Sequence, residues 1–466
     1  MQEEPVTVER GQSQLFLDDE LVAEKRNVTE TWHRPVKHPA NPLIRASGPE
    51  MAVFMFGSVL QGEGAEGTAF RMWYYASGRD GTSPWVSYAR SADGLRWHKP
   101  EVGLIAIGGD VSNNAVFRPD EWRLIGFSGV MRDPRPDVPD AERYKLAAEA
   151  QNLEDERKYY VTAVSPDGIC WTFLDSFIPT PPAYPDRSCL VWDPFARRYN
   201  LYCRAKHAPP EVVERGGPAY FGRAVALCTS ADFRTWSDLG LVMHAEADDP
   251  GGTEIYGIGA FPYAGQWLGL PQIHCSLPEV GMIDVAIAHS RDGVTWVREK
   301  EIILPCGGIG EWDRFNQVTA TAPVEVGDEL WLYYCGRTYR HKEYRQAGYT
   351  GTGPSAPMIG LATLRRDGWC SLGASFDGGE VTTRTVVLPD GELYLNAKAD
   401  WGEVVVEALD TDGIHLNGMR SVPVNDDGVR LPVRWPDGAS FRSIAGKPIR
   451  LHFHLRNALL YSWQVA

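Results

Sequence analysis

Four acidic residues stand at the heads of apolar segments spread along the chain: Asp133 ahead of Tyr144-Lys145-Leu146, Asp186 ahead of Cys189-Leu190-Val191, Glu254 ahead of Ile255-Tyr256, and Asp313 (or Glu311) ahead of Phe315. A charge beside a segment that must be buried is costly unless it is paired or used. If the heads of these segments gather around one axis, the acids form a ring. Paired carboxyl groups in a pocket are the equipment for cleaving an acetal. One is held protonated to release the leaving oxygen, and the other is ionised to activate water or attack the anomeric carbon. Glu254 is the expected acid, since Glu reaches farther than Asp and apolar neighbours raise a carboxyl pKa. Asp186 is the expected base or nucleophile, with Asp133 and Asp313 orienting substrate hydroxyls.

Basic groups flank the same positions. Arg132 and Arg187 adjoin two of the acids, and Arg223 opens Gly222-Arg223-Ala224-Val225. His207, His274, Arg337 and His341 follow what read as second strands of successive units. They are expected to keep a carboxylate ionised or to bind sugar hydroxyls. Taken singly, each fits loop capping equally well. The histidines show no tight metal-ligand spacing, Cys-x-x-Cys is absent, and no elbow motif supports a Ser-His-Asp site. No metal or other cofactor is therefore expected; a calcium ion in a central channel would be compatible with such a ring, but no spacing demands one.

The elements that would position these groups are legible in a repeat. Ser91-Ala92-Asp93-Gly94-Leu95-Arg96-Trp97 recurs as Ser165-Pro166-Asp167-Gly168-Ile169-Cys170-Trp171, Ser230-Ala231-Asp232-Phe233-Arg234-Thr235-Trp236 and Ser290-Arg291-Asp292-Gly293-Val294-Thr295-Trp296, with a worn copy at Arg365-Arg366-Asp367-Gly368-Trp369. The copies start roughly 60 to 75 residues apart, a period that marks an array of similar units. In each, an apolar strand runs into a turn whose Asp satisfies backbone N–H groups and whose Gly takes the positive φ. The Trp is expected to fill the space between neighbouring sheets. The reading is all-β: a five-bladed β-propeller over residues 1–373, including an N-terminal hairpin and rim segment over 1–48. After that the repeat stops. The strands Glu403-Val404-Val405-Val406 and Ile449-Arg450-Leu451-His452-Phe453 suggest a β-sandwich over 374–466, structural in role, with Leu459, Leu460 and Tyr461 docked on blade five.

Composition bounds the partners. The formal net charge is −15 with 466 residues, which argues against nucleic acid and against polybasic attachment to a membrane. The opening Met1-Gln2-Glu3-Glu4-Pro5-Val6 has neither the basic nor the apolar stretch of a leader, and the eight cysteines lie mostly in apolar runs, so a reducing, cytoplasmic setting is expected.

The repeat, the Arg132-Asp133-Pro134 triplet ahead of Arg143-Tyr144-Lys145, and the trailing strands resemble the five-bladed glycosidases of families 32, 43 and 68. The nearest likeness is to bacterial proteins similar to the N-terminal domain of family 32. The resemblance implies hydrolysis of furanosides such as fructosides or arabinosides, and places Asp133 at the position of the aspartate that stabilises the transition state. The chain departs from family 32 in lacking Asn-Asp-Pro-Asn, with only Glu50 ahead of Met51, and in lacking Glu-Cys-Pro. Three readings stay open: an exo-acting hydrolase of an oligosaccharide or glycoside, a non-catalytic sugar-binding propeller, and a phosphorylase holding phosphate with Arg187, Arg223, Arg337 and His341.

Overall fold

The structure, a computed structural model, describes residues 4–62, 69–78, 83–177, 187–207, 222–276, 281–341, 343, 356–436 and 439–466. No α-helix occurs among the described residues, so no helix there is long and apolar enough to cross a membrane. The chain forms two compact units: residues 35–324 with 331–363, and residues 1–34 with 325–330 and 364–466.

The larger unit is built on five antiparallel sheets. Sheet one comprises Glu50–Gln61, Phe70–Gly78, Trp85–Ser91 and Ala115–Phe117; sheet two comprises Trp122–Arg132, Tyr144–Asn152, Lys158–Ser165 and Thr172–Phe177. Sheet three holds Cys189–Asp193, Arg198–His207, Gly222–Ser230 and Ser237–Met243; sheet four holds Thr253–Tyr263, Gln266–Cys275, Met282–Ser290 and Val297–Leu304. Sheet five is built from Phe315–Thr319, Glu329–Arg337 and Met358–Arg365, and its edge is Val36–Lys37, which pairs with Ala362 and Thr363. Successive sheets touch in order, and the first strand of sheet five returns to that of sheet one. The order is thus closed, and the early segment expected to lie over the rim supplies a strand to the last sheet. Joining a strand from near the start of the chain to the last sheet closes such a ring without leaving that edge open.

The repeated turns explain how neighbours dock. Ser165 Oγ accepts from Gly168 N at 2.8 Å, while Asp167 Oδ1 accepts from Ile169 N and Cys170 N at 2.8 Å each. The same pattern recurs at Asp93, Asp232 and Asp292. In sheet two the glycine carbonyl faces backward onto the preceding sheet, where Trp73 Nε1 donates to Gly168 O at 2.6 Å. Tyr202 donates to Gly293 O and Tyr333 to Gly94 O, each at 2.8 Å, and the second of these joins sheet five to sheet one. The tryptophans of the four full copies are half-buried rather than fully enclosed, whereas Trp369 of the worn copy is fully buried. They still pack between sheets, as Trp236 does on Phe177 with ring centroids 5.2 Å apart. Other fully buried indoles include Trp73, Trp85 and Trp267.

The second unit corrects the expected boundary. Residues 1–34 join it rather than the sheets of the repeat: Val6–Thr7 pairs with Val386–Val387, Gln14–Leu15 with Ser462 and Trp463, Val22–Arg26 with Gly379–Thr383, and Thr29–Trp32 with Cys370–Gly373. Gln14–Leu15 is therefore an added edge strand, not half of a local hairpin. The reason is edge pairing: the C-terminal strands offer unpaired edges that these short segments satisfy. Two sheets result, and residues of both, from Val8 and Phe16 through Leu395, Val404 and Phe453 to Trp463, fill one apolar core. Leu460 belongs to that core, and Tyr461 lies beside His33 and Arg365 of the same unit. None of the eight cysteines is in a disulfide.

Candidate functional site

Blade geometry sorts the expected acids into two ends. In sheet four Glu254 pairs with His274, and His274 with Ile283, far from the turn that begins at Ser290. In sheet two Arg132 pairs with Tyr144, and Tyr144 with Ser165, so Asp133 lies at the same end as its own Ser-x-Asp-Gly turn. Asp133 follows the first strand instead of leading it. It is buried and accepts from Arg135 at 3.1 Å and from Tyr199. Lys145 Nζ lies 4.0 Å away. This cluster ties sheet two to sheet three, and the adjoining Arg132 is exposed at that same end. Neither residue reaches the groups described next, so the role that the family resemblance implied for Asp133 has no geometric support.

Two further acids are tied down separately. Asp313 is buried against Lys37 Nζ at 2.7 Å and accepts from Tyr334 at 2.8 Å. Glu50 accepts from Tyr74 at 2.7 Å and from Lys99. Each of these two carboxylates has its own cation. Asp186 lies outside the described residues, as does the side chain of His207.

What does converge is Glu254, His274, Arg223, Arg337 and His341. Cross-strand pairing sets the first two together, with His274 Nδ1 and Glu254 Oε2 2.6 Å apart. Arg223, at the start of the third strand of sheet three, donates to the same oxygen. The His341 backbone N–H donates to Gly281 O at 2.9 Å, which brings its ring to 4.9 Å from that of His274. Tyr256 closes one side, its ring 5.2 Å from His341 and 4.2 Å from the guanidinium carbon of Arg204. Arg337 lies over Tyr339 at 4.4 Å.

Electrostatics fix the protonation states. Burial opposes ionisation of Glu254, but the hydrogen bond from His274 and the charge of Arg223 outweigh it, and the carboxyl sits below the usual glutamate range. That direction overturns the expectation of a protonated general acid: the apolar neighbours are there, yet two donors on one oxygen matter more. Burial lowers the pKa of His274, with Arg223 acting the same way and Glu254 against. Burial and then the charge of Arg337 push His341 far below the ordinary imidazole value. Both rings are neutral at pH 7. With its Nδ1–H given to Glu254, His274 keeps a lone pair on Nε2, and that buried atom has no protein partner.

Other buried polar atoms of the same unit are likewise without a protein partner. Gln272, on the same face of the strand as His274, has neither its oxygen nor its nitrogen partnered; Arg187 Nε, Thr319 Oγ1, Asn316 Oδ1 and Arg337 Nε are in the same state. Gly257 makes the approach possible, since a Cβ there would stand 2.5 Å from Arg187 Cγ and 3.0 Å from Gln272 Oε1. Arg187 is fully buried and spans from sheet three to sheet five by donating to Ser188 O at 2.6 Å and Thr319 O at 2.8 Å. The sequence reading missed Gln272, Tyr256, Arg204 and Glu149. Glu149 is buried on the second strand of sheet two, accepts from Ser128 at 2.9 Å, and bears electrostatically on Arg187. A lone Glu inside Leu146-Ala147-Ala148-Glu149-Ala150 was the available signal.

No protein-family model matches the sequence, and no curated protein matches it. Among solved structures, the chain is similar to an N-acetylgalactosamine deacetylase from F. plautii in complex with blood group B trisaccharide, at 14% identity over 72% of this chain and 95% of that one, with a TM-score of 0.48. It is similar to a structure from the GH130 family of mannoside phosphorylases, described as containing glycoside hydrolases that target β-1,2 mannosidic linkages in Candida mannan (13% identity, 75% and 96% coverage, TM-score 0.46). It is also similar to the Bombyx mori GH32 β-fructofuranosidase (11% identity, 92% and 94% coverage, TM-score 0.44). The structures it resembles include glycoside hydrolases.

Proposed function

We propose that this chain is a carbohydrate-active enzyme of the glycosidase class, acting where Glu254, His274, Arg223, Arg337 and His341 meet. The observation that carries the reading is the set of buried, unpartnered polar atoms on His274, Gln272, Thr319 and Arg187. Unpaired donors and acceptors cost about 1 to 3 kcal/mol each when buried. A polyol meets such a mixed set well, because each hydroxyl both donates and accepts. In this reading His274 Nε2 takes a proton from the attacking water, and ionised Glu254 balances the imidazolium that forms. Arg223 holds Glu254 in place. The proton for the leaving oxygen comes from a second carboxyl, for which Asp186 and Glu149 are the candidates. The substrate is an oligosaccharide or glycoside, cleaved from its end, with furanosides the first class to examine. A panel of aryl furanosides and pyranosides tests this: turnover that His274→Asn and Glu254→Gln abolish supports it, and turnover indifferent to both removes it.

A second reading rests on charge. Arg204, Arg223 and Arg337 all bear electrostatically on His341, and of the three Arg223 is paired with Glu254, an excess of cations suited to an anionic co-substrate. Phosphate would then replace water, attacking the anomeric carbon and giving a sugar 1-phosphate. Cleavage that requires inorganic phosphate selects this reading; equal rates in its absence select hydrolysis.

A further inference from the structure

We propose that the second unit binds a divalent transition-metal ion through Glu380, His452 and His454. His452 and His454 are two residues apart on the strand Pro448–Arg456 and so share the outward face, while Leu451, Phe453 and Leu455 fill the core. Glu380 is on the neighbouring strand Gly379–Thr383, directly opposite His454. One ligand atom from each lies within 4.8 Å of the others. His454 Nδ1 and Glu380 Oε1 are 3.5 Å apart, and His452 Nε2 and Glu380 Oε2 3.9 Å. A tetrahedral shell with bonds of about 2.0 to 2.2 Å has donor–donor edges of about 3.4 Å, and the two Glu380 contacts, one to each carboxylate oxygen, lie within about 0.5 Å of that.

The outer nitrogens of both rings are already held, which is the independent sign of a built site. Thr382 Oγ1 lies 2.7 Å from His452 Nδ1, and Glu407 Oε2 lies 3.1 Å from His454 Nε2. The nitrogens left over, His452 Nε2 and His454 Nδ1, are the ones that face Glu380. A carboxylate behind a metal-bound imidazole fixes its tautomer and raises its basicity. Glu407 is itself buried and held by Arg420 and by His415 at 2.9 Å. A cleft of about 420 Å³, lined by Glu380, Glu403, Arg420 and His454 among others, gives the ion an entry path and room for water ligands. Two imidazoles and one carboxylate suit zinc, copper or nickel better than magnesium or calcium. The competing arrangement is an ion-pair lattice alone, with Arg26 on Glu380 and Arg420 on Glu407.

Calorimetric titration of the chelator-stripped, untagged full chain with zinc chloride tests the site. We expect one saturable equivalent, no competition from magnesium, and a rise in melting temperature on adding zinc. His454→Ala and the shape-conserving Glu380→Gln should each weaken binding at least about 10-fold, and Glu407→Gln about 10- to 100-fold. Zinc should no longer raise the melting temperature of His454→Ala, while metal-free variants melt as the metal-free parent does. The proposal is overturned by the absence of a saturable equivalent, or by binding that His454→Ala and Glu380→Gln leave unchanged. Sugar turnover is not read in this experiment, so its outcome is separate from that of the glycosidase reading.

Discussion

Replacing Gly168 by Ala should destabilise the larger unit by about 2 to 4 kcal/mol, and the structure apportions that cost. Gly168 has φ +76°, where an L-residue loses about 1 kcal/mol. An added Cβ would stand 2.7 Å from Trp73 Cζ2 and 3.1 Å from Arg71 Nη2. Trp73 is fully buried and its indole N–H is committed to Gly168 O, so the ring has nowhere to retreat, and overpacking of this kind costs about 1 to 3 kcal/mol more. Gly240 supplies the control within the same unit, with φ +86° and nothing within 4 Å of its would-be Cβ. Gly240→Ala should therefore lose only the strain, about 1 kcal/mol. Urea unfolding followed by tryptophan fluorescence measures both variants against the parent. If Gly168→Ala unfolds no earlier than Gly240→Ala, the turn does not dock on Trp73 as described. Sheet three makes the converse case: Phe233 occupies the glycine position at φ +65° and is buried with its ring 5.0 Å from Tyr199. Phe233→Gly should relieve about 1 kcal/mol of strain yet lose about 3 to 5 kcal/mol of packing, a net destabilisation despite the better backbone.

Glu254→Gln and His274→Asn should each lower kcat/KM about 10²- to 10⁴-fold on any glycoside the parent cleaves, with unchanged urea midpoints excluding simple unfolding. His274 and His341 both have lowered pKa values in the folded chain. The unfolded chain then binds protons first, so stability is full above the ordinary imidazole value of about 6.5 and is lost as pH falls through it. Urea midpoints between pH 7.5 and 5.0 should drop for the parent and less for His341→Asn; a flat parent profile contradicts the burial of these rings. Lys37→Met strips the cation from buried Asp313 while leaving the Tyr334 hydrogen bond, and should cost about 2 kcal/mol of stability without altering KM, a change in KM alone being the contrary result.

The sequence by itself determined the all-β class and the repeated turns, because those rest on local chemistry. Ser-x-Asp-Gly closes its own hydrogen bonds within a few residues, as at Ser165 and Asp167, whatever surrounds it. It also marked out Glu254, Arg223, His274, Arg337 and His341, since polar groups at strand ends are visible as breaks in apolar runs. Only the tertiary structure decided which of them meet. Asp133 and Glu254 look alike in sequence, each bordering an apolar segment, but one follows its first strand and the other begins it, and strand direction sends them to opposite ends of their sheets. The protonation of Glu254 was likewise beyond sequence, because Arg223 and His274 come to its oxygen from 31 and 20 residues away. The membership of residues 1–34 was decided by strand edges in the C-terminal unit, hundreds of residues distant, such as Thr29 opposite Gly373. Pairing across that separation is chosen by which edge remains open after folding, and no local pattern encodes it.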